Sequence, residues 1–178
     1  MRSSSYVNLG RRRARTPRVI REYRLSTECV IRAPIEAVFE FFSRAHNLGR
    51  LTPPWLAFDI VTPEPIEMRE GTLIDYRIRL RGVPIGWRTR IAAWEPGQRF
   101  VDEQIKGPYA LWRHEHRFEE TKTASGEAAV RMIDDVRYAL GWGWAGRLAH
   151  RVFVRRDLER IFDYRRQVIA NMWPSGLS

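Results

Sequence analysis

Between residues 58 and 140 the sequence alternates apolar and polar residues in short runs that turn residues separate. Alternation with a period of two is typical of β-strands that bury one face. Glycine and proline mark the reversals, and the connections are too short for the crossover that parallel strands need. The runs therefore predict six antiparallel strands: FDIVTPEP, GTLIDYRIRLRG, IGWRTRIAAWEPG, RFVDEQIKG, YALWRHEHRFEE and AAVRMIDDVRYAL.

The segments on either side of these runs complete the predicted fold. RLSTECVIRAP (24–34) alternates like a strand, and the following segment predicts two short helices, the first beginning near Pro34. From about Ala145 to Met172 there is no proline and no glycine after Gly146, and an apolar stripe runs beside an arginine-rich face. Such a helix also suits a calmodulin-like or membrane-surface contact. We favour packing against the sheet, whose apolar face otherwise has no cover.

The N-terminal segment differs from the rest in charge. The chain has 178 residues and a formal net charge of +10, and residues 1–24 hold eight arginines against the single acid Glu22. This composition predicts a disordered basic tail over residues 1–23, followed by one domain over residues 24–174. Weak contact with anionic surfaces through the tail is expected. The folded part has no basic stripe interleaved with aromatic residues, so we expect no specific nucleic-acid binding.

Four segments resemble one protein superfamily: VIRAPIEAVFEFFS, EPGQRFVDEQIKGPYALWRHEHRF, MIDDVRY and RDLERIFDYRR. Together they are similar to the START-related helix-grip superfamily, the SRPBCC ligand-binding domains, over residues 24–173. Within it the resemblance is to bacterial proteins grouped with polyketide cyclases and coenzyme-Q-binding proteins. It implies an α+β helix-grip fold, in which a curved antiparallel sheet of six to seven strands wraps around the long C-terminal helix. It also implies a cavity for a small hydrophobic ligand.

The run LWRHEHRF places His114 and His116 on the same strand face as Trp and Phe, opposite three charged residues. Counting back through the turn at 107–109 places Asp102 opposite His114, and Phe100 opposite His116. Asp134 of the next strand falls on the same inner face. Four interpretations remain: a structural polar network, a wall that orients the polar head of a ligand, an acid–base catalyst and a metal site. We expect Asp102 to hold His114 and expect neither a metal nor another cofactor.

Other motifs narrow the function by exclusion. GWGWAG (141–146) matches a dinucleotide-binding pattern, but such a site also needs a parallel strand after the helix, and none follows here. We interpret the segment as a hinge. Its Trp142 and Trp144 are expected to cover the cavity mouth or the helix end. The sequence contains no G-x-S-x-G nucleophile elbow, and we interpret Cys29 as a small core residue. The lone cysteine, with no secretory signal and no stretch of about 20 apolar residues, favours a cytoplasmic protein without a transmembrane segment.

We therefore expect a protein that binds a small hydrophobic ligand (a lipid, a quinone or a polyketide-like molecule) between the sheet and the C-terminal helix, in a cavity of roughly 300–1,000 Å³. We favour a non-catalytic binding protein. The alternative is an enzyme of the cyclase or dehydratase kind that uses an Asp–His pair in the cavity wall. The expected ligand-binding residues are Trp87, Thr89, Ile91, Asp102, Gln104, Trp112, His114, His116, Asp134 and Tyr138.

Overall fold

The computed structural model describes residues 20–141 and 144–173. Its seven strands form one antiparallel sheet in the order β1-β7-β6-β5-β4-β3-β2. The strands are β1 (Glu22–Ile31), β2 (Asp59–Ile60), β3 (Leu73–Leu80), β4 (Val83–Glu95), β5 (Arg99–Lys106), β6 (Leu111–Lys122) and β7 (Ala128–Ala139). The first strand begins at Glu22, two residues before the predicted start of the domain.

Helices lie between β1 and β2 and at the end of the described chain. They are α1 (Ile35–Ser43), α2 (Leu48–Leu51), α3 (Trp144–Ala149) and α4 (Arg155–Met172), with single 3₁₀ turns at Ala45–Asn47 and Pro54–Leu56. Residue 35 opens α1 directly after Pro34, where a proline costs no helical hydrogen bond. The predicted fold class is confirmed: a curved antiparallel sheet with a long C-terminal helix and short helices after the first strand.

Two elements differ from the sequence-based expectation. Only Asp59–Ile60 of the run at 58–65 is a strand. Prolines follow at positions 63 and 65, and proline cannot donate a ladder hydrogen bond. The predicted single helix contains a π-helical segment, His150–Val154, between α3 and α4. That segment includes two valines and a phenylalanine, which are weaker helix formers than leucine or alanine.

The sheet bends around α4 and encloses the core. Register shifts interrupt the β4–β5 ladder between Arg88 and Thr89 and between Ile91 and Ala93, and such bulges bend a strand. One core cluster joins α1, the ends of β6 and β7, and Ile169 of α4. A second cluster joins β7 to the first half of α4 through the side chains of Val136, Tyr138, Leu158 and Phe162.

The strand register confirms the residue pairing that was predicted across the β5–β6 hairpin. Asp102 pairs with His114 and Phe100 pairs with His116 across β5 and β6. His116 also pairs with Asp134 of β7. Both histidines are buried, at 7% and 5% exposure, so they lie on the inner face as the alternation predicts.

Two expectations concern segments that the structure covers only in part, and a third concerns membrane-spanning helices. The predicted disordered tail lies outside the described residues except for its last four positions, of which Glu22 and Tyr23 belong to β1; over residues 1–19 it stays a prediction. The GWGWAG hinge includes Trp142, which is outside them, and of the Trp144 side chain nothing is described. In the described ranges, no helix combines the length and the apolar character that crossing a membrane requires.

Candidate functional site

A cavity of about 180 Å³ lies between the sheet and α4. Aliphatic side chains such as Ile78 and Ile91 line it from the sheet, and Phe162 lines it from α4. The volume is below the 300–1,000 Å³ expected from the sequence. Large aromatic side chains, among them Trp87 and Tyr109, are part of the cavity wall.

Four of the predicted apolar lining residues lie on the cavity wall: Trp87, Thr89, Ile91 and Trp112. The Trp87 ring stacks on Tyr76 at 5.8 Å and meets Trp112 edge to face at 5.3 Å. Trp87 is 7% exposed. Among the described residues, its indole Nε1 has no hydrogen-bond partner. Trp87 therefore carries a buried donor that still lacks an acceptor.

Three expected ligand-binding residues do not line the cavity: Gln104, Tyr138 and Asp134, of which Asp134 belongs to the histidine cluster described below. Tyr138 is buried among the residues of the second core cluster and lines a separate pocket with Tyr23. The Gln104 amide braces the β5–β6 turn, donating to the Tyr109 carbonyl at 2.8 Å and accepting from the Tyr109 N–H at 3.3 Å. A Cβ at Gly107 would overlap the Gln104 side chain, so a larger residue there would displace the Gln104 amide. Gln104 therefore shapes the hairpin rather than the cavity.

The two histidines share one carboxylate behind the cavity wall. Asp134 Oδ1 lies 2.9 Å from His114 Nε2 and 2.8 Å from His116 Nδ1. Asp102 Oδ2 lies 3.3 Å from His116 Nε2 and 3.6 Å from His114 Nδ1. The expectation that Asp102 holds His114 is therefore corrected. Although the two residues face each other in the ladder, the short hydrogen bond of His114 goes to Asp134, and Asp102 bonds His116 instead.

The sequence analysis missed Arg165, the cation of this cluster. Arg165 of α4 is 6% exposed, and its Nε and Nη2 lie 3.1 and 3.3 Å from the two oxygens of Asp134. Its guanidinium also covers the Phe42 ring at 5.2 Å. The sequence did carry a signal for the burial of Arg165, because this residue belongs to a stripe with helical spacing. The buried residues of α4 are Leu158, Phe162, Arg165 and Ile169.

Burial and close charges perturb the pKa values of the cluster. Burial lowers the pKa of His114, and the neighbouring His116 lowers it further. Burial acts in the same direction on His116, but hydrogen bonds to Asp102 and Asp134 outweigh it and raise the pKa of His116. Burial would raise the pKa of Asp134, but Arg165 and the two histidines hold it well below its usual value. Asp134 is thus an ionised hydrogen-bond acceptor, with a neutral His114 beside it.

Three side chains on the cavity wall offer the donor types that bind metals. Asp102, His114 and His116 all line the cavity, whereas Asp134 lies behind the histidines. One donor atom from each of the three lies within 4.8 Å of the others. Two imidazole nitrogens and one carboxylate oxygen form a set that zinc and other divalent transition metals accept.

Comparison with known proteins identifies the fold. No family model matches the chain, and no curated protein matches it by sequence. Solved structures do match. Ginseng major latex-like protein 151 from Panax ginseng shares 12% identity over 85% of this chain and 97% of its own, with a TM-score of 0.60. The Zhui aromatase/cyclase from Streptomyces sp. R1128 shares 13% identity over 89% of this chain and 100% of its own, with a TM-score of 0.58.

This chain has the helix-grip fold. A protein from Thermus thermophilus supports the same assignment, with 16% identity over 84% of this chain and 99% of its own and a TM-score of 0.57. Identities this low carry the fold and not the ligand or the chemistry. Function must therefore be argued from the cavity itself.

Proposed function

We propose that the chain binds a small apolar ligand that carries at least one oxygen atom, in the cavity between the sheet and α4. The observation that carries the proposal is the contrast within the cavity wall. Aliphatic and aromatic side chains make up most of it, and Asp102, His114 and His116 form one polar cluster within it. Further polar side chains on the wall are Arg44, Thr52, Thr89 and Arg165. Such a wall binds an apolar body and orients one polar end.

The aromatic part of the wall favours a ring compound over a saturated chain. The rings of Tyr76, Trp87 and Trp112 lie 5.3 to 5.8 Å apart, and aromatic pairs contribute roughly 0.5–1.5 kcal/mol beyond the area that they bury. The unpartnered Nε1 of Trp87 adds a donor for a carbonyl oxygen. A quinone or polyketide-like ligand meets both conditions, whereas a fatty acyl chain offers a carbonyl oxygen but no ring.

Calorimetric titration with 1-tetralone and with tetralin tests this proposal, because the two probes differ by one carbonyl oxygen. We expect saturable binding of both, with 1-tetralone roughly 2–10-fold tighter through one added hydrogen bond. Trp87→Phe should remove most of the difference. The measurements are made in the presence of a chelator, so that metal ions do not contribute.

Cavity-filling variants show whether the probes bind at the proposed place. Ile78→Phe fills the cavity from the sheet, and we expect it to abolish binding of both probes. Ile105→Phe makes the same change at a position 52% exposed and away from the cavity, and it should leave binding unchanged. Absence of saturable binding, or equal affinities in Ile78→Phe and the unmodified chain, would refute the proposal.

One observation favours a second candidate, an acid–base enzyme of the cyclase or dehydratase kind. His114 hydrogen-bonds Asp134 through Nε2, so its Nδ1 is the free nitrogen, and His114 lines the cavity. A positioned imidazole can take a proton from a carbon next to a carbonyl group. Exchange of the α-protons of 1-tetralone in D₂O, followed by NMR, should then be faster with the protein than in buffer. His114→Gln should remove the acceleration, and no acceleration would leave only the binding function.

A further inference from the structure

Asp134 lies next to one nitrogen of each histidine and leaves the other nitrogen on the side of Asp102. Its Oδ1 accepts from His114 Nε2 at 2.9 Å and lies 2.8 Å from His116 Nδ1. The opposite nitrogens, His114 Nδ1 and His116 Nε2, are those that lie 3.6 and 3.3 Å from Asp102 Oδ2. A carboxylate that fixes the far nitrogen of a histidine is the usual outer partner of a metal ligand, because it sets the ring orientation and the tautomer.

We propose that Asp102, His114 and His116 bind one divalent transition-metal ion, for which zinc is the best match. A tetrahedral zinc ion with bonds of about 2.0–2.1 Å holds its ligand atoms roughly 3.3 Å apart. The two distances from Asp102 Oδ2, 3.3 and 3.6 Å, already lie near this value. One donor atom of each of the three residues lies within 4.8 Å of the others, so the side chains must draw closer together to close around an ion.

The surroundings supply the remaining features of an open metal site. All three residues line the cavity, so an ion held by them would be next to the cavity space. Arg165 lies within 3.3 Å of both oxygens of Asp134 and compensates its charge, which leaves the carboxylate of Asp102 to interact with the cation. Three protein ligands with one open position are characteristic of zinc sites that bind a further molecule. The inference does not depend on the organic ligand proposed above.

The test is calorimetric titration of the untagged 178-residue chain with ZnCl₂ at pH 7, after removal of bound metal by a chelator. We expect one ion per chain with a Kd of roughly 1 μM or tighter. Titration with Co²⁺ should produce the intense visible absorption of a tetrahedral ion. Because no organic ligand is present, the result stands apart from the outcome with 1-tetralone.

Variants assign the ion to this site. Asp102→Asn and His116→Ala should each weaken zinc binding by more than about 100-fold, and Asp134→Asn by roughly 10–100-fold through loss of ligand orientation. His46→Ala changes an exposed histidine outside the cavity and should leave the Kd unchanged. Far-UV circular dichroism checks that each variant is folded. Asp102→Asn keeps the side-chain volume, so it tests the assignment of zinc to this site even if His116→Ala does not fold. Absence of one-to-one binding, or binding that survives Asp102→Asn, would overturn the proposal.

Discussion

Replacing Arg165 by methionine tests whether the buried charge of Asp134 depends on its partner in α4. Both residues are almost completely buried, at 6% and 5% exposure. Methionine keeps the apolar contact with Phe42 but removes the guanidinium, whose nitrogens lie 3.1 and 3.3 Å from the carboxylate. Removing one partner of a buried ion pair costs about 3–5 kcal/mol, because the other charge stays buried.

We expect the lower end of this range, about 3 kcal/mol, because the two histidines still hydrogen-bond Asp134. For a domain of this length the loss corresponds to a Tm lower by roughly 6–12 °C. The assay is urea denaturation at pH 7 with a chelator present, followed by circular dichroism. Unchanged m-values would show that the loss is one of stability and not of two-state behaviour.

Two variants control this experiment. Arg166→Met removes the next arginine of α4, whose side chain is 53% exposed and pairs with Asp163 on the surface, and it should cost less than about 1 kcal/mol. Adding Asp134→Asn to Arg165→Met removes the stranded charge and should recover part of the stability. Equal losses for Arg165→Met and Arg166→Met, or a double variant less stable than Arg165→Met alone, would refute the reasoning.

Three further predictions concern other parts of the molecule. Burial raises the pKa of the Cys29 thiol to about 11, so at pH 8 iodoacetamide should alkylate the folded chain roughly 100-fold more slowly than the urea-unfolded chain; equal rates by mass spectrometry would contradict this. Hydrogen bonds from an arginine of β1 hold the pKa of Asp135 below its usual value. Asp135→Asn should therefore destabilise the chain at pH 7 but progressively less below about pH 4, where protonation of the native carboxylate removes its contribution; a pH-independent difference in urea denaturation would disagree. Gly107→Ala places a Cβ 2.6 Å from Gln104 Cδ and should cost about 1–2 kcal/mol in the same assay through the broken amide pair, whereas Gly86→Ala, with open space around its Cβ, should cost less.

The buried face of each strand could be predicted from the sequence, because it follows from the local pattern of apolar and polar residues. Alternation in β6 places His114 and His116 inside, since a shift of one residue would bury three charged side chains instead. The short β5–β6 turn sets the register, so counting residues identifies Asp102 as the neighbour opposite His114. The order from β3 to β7 also follows from short connections between consecutive strands, whereas the pairing of β1 with β7 does not.

The hydrogen bonds inside the cluster were not predictable in the same way. Register specifies which Cα atoms face each other, whereas side-chain torsions decide which oxygen meets which nitrogen. His114 therefore pairs with Asp102 in the ladder but bonds Asp134. Arg165 depends on the rotation and position of α4 against the sheet, which no local pattern encodes. Its place in the buried stripe of α4 predicts burial and leaves its partner unidentified.

Arg165 should have opposite effects on folding stability and on affinity for the proposed zinc ion. A variant of Arg165 can therefore distinguish an electrostatic effect on zinc binding from an effect of lost structure. The guanidinium stabilises the folded chain by compensating Asp134, but it also repels any cation bound by Asp102 and the histidines. Like charges repel over such short distances most strongly where water is excluded. Arg165→Met should therefore lower the stability of the metal-free chain and tighten zinc binding, the latter measured by calorimetry below the Tm of the variant. If zinc affinity falls together with stability, Arg165 shapes the ligand geometry, and compensation of charge is not its main role.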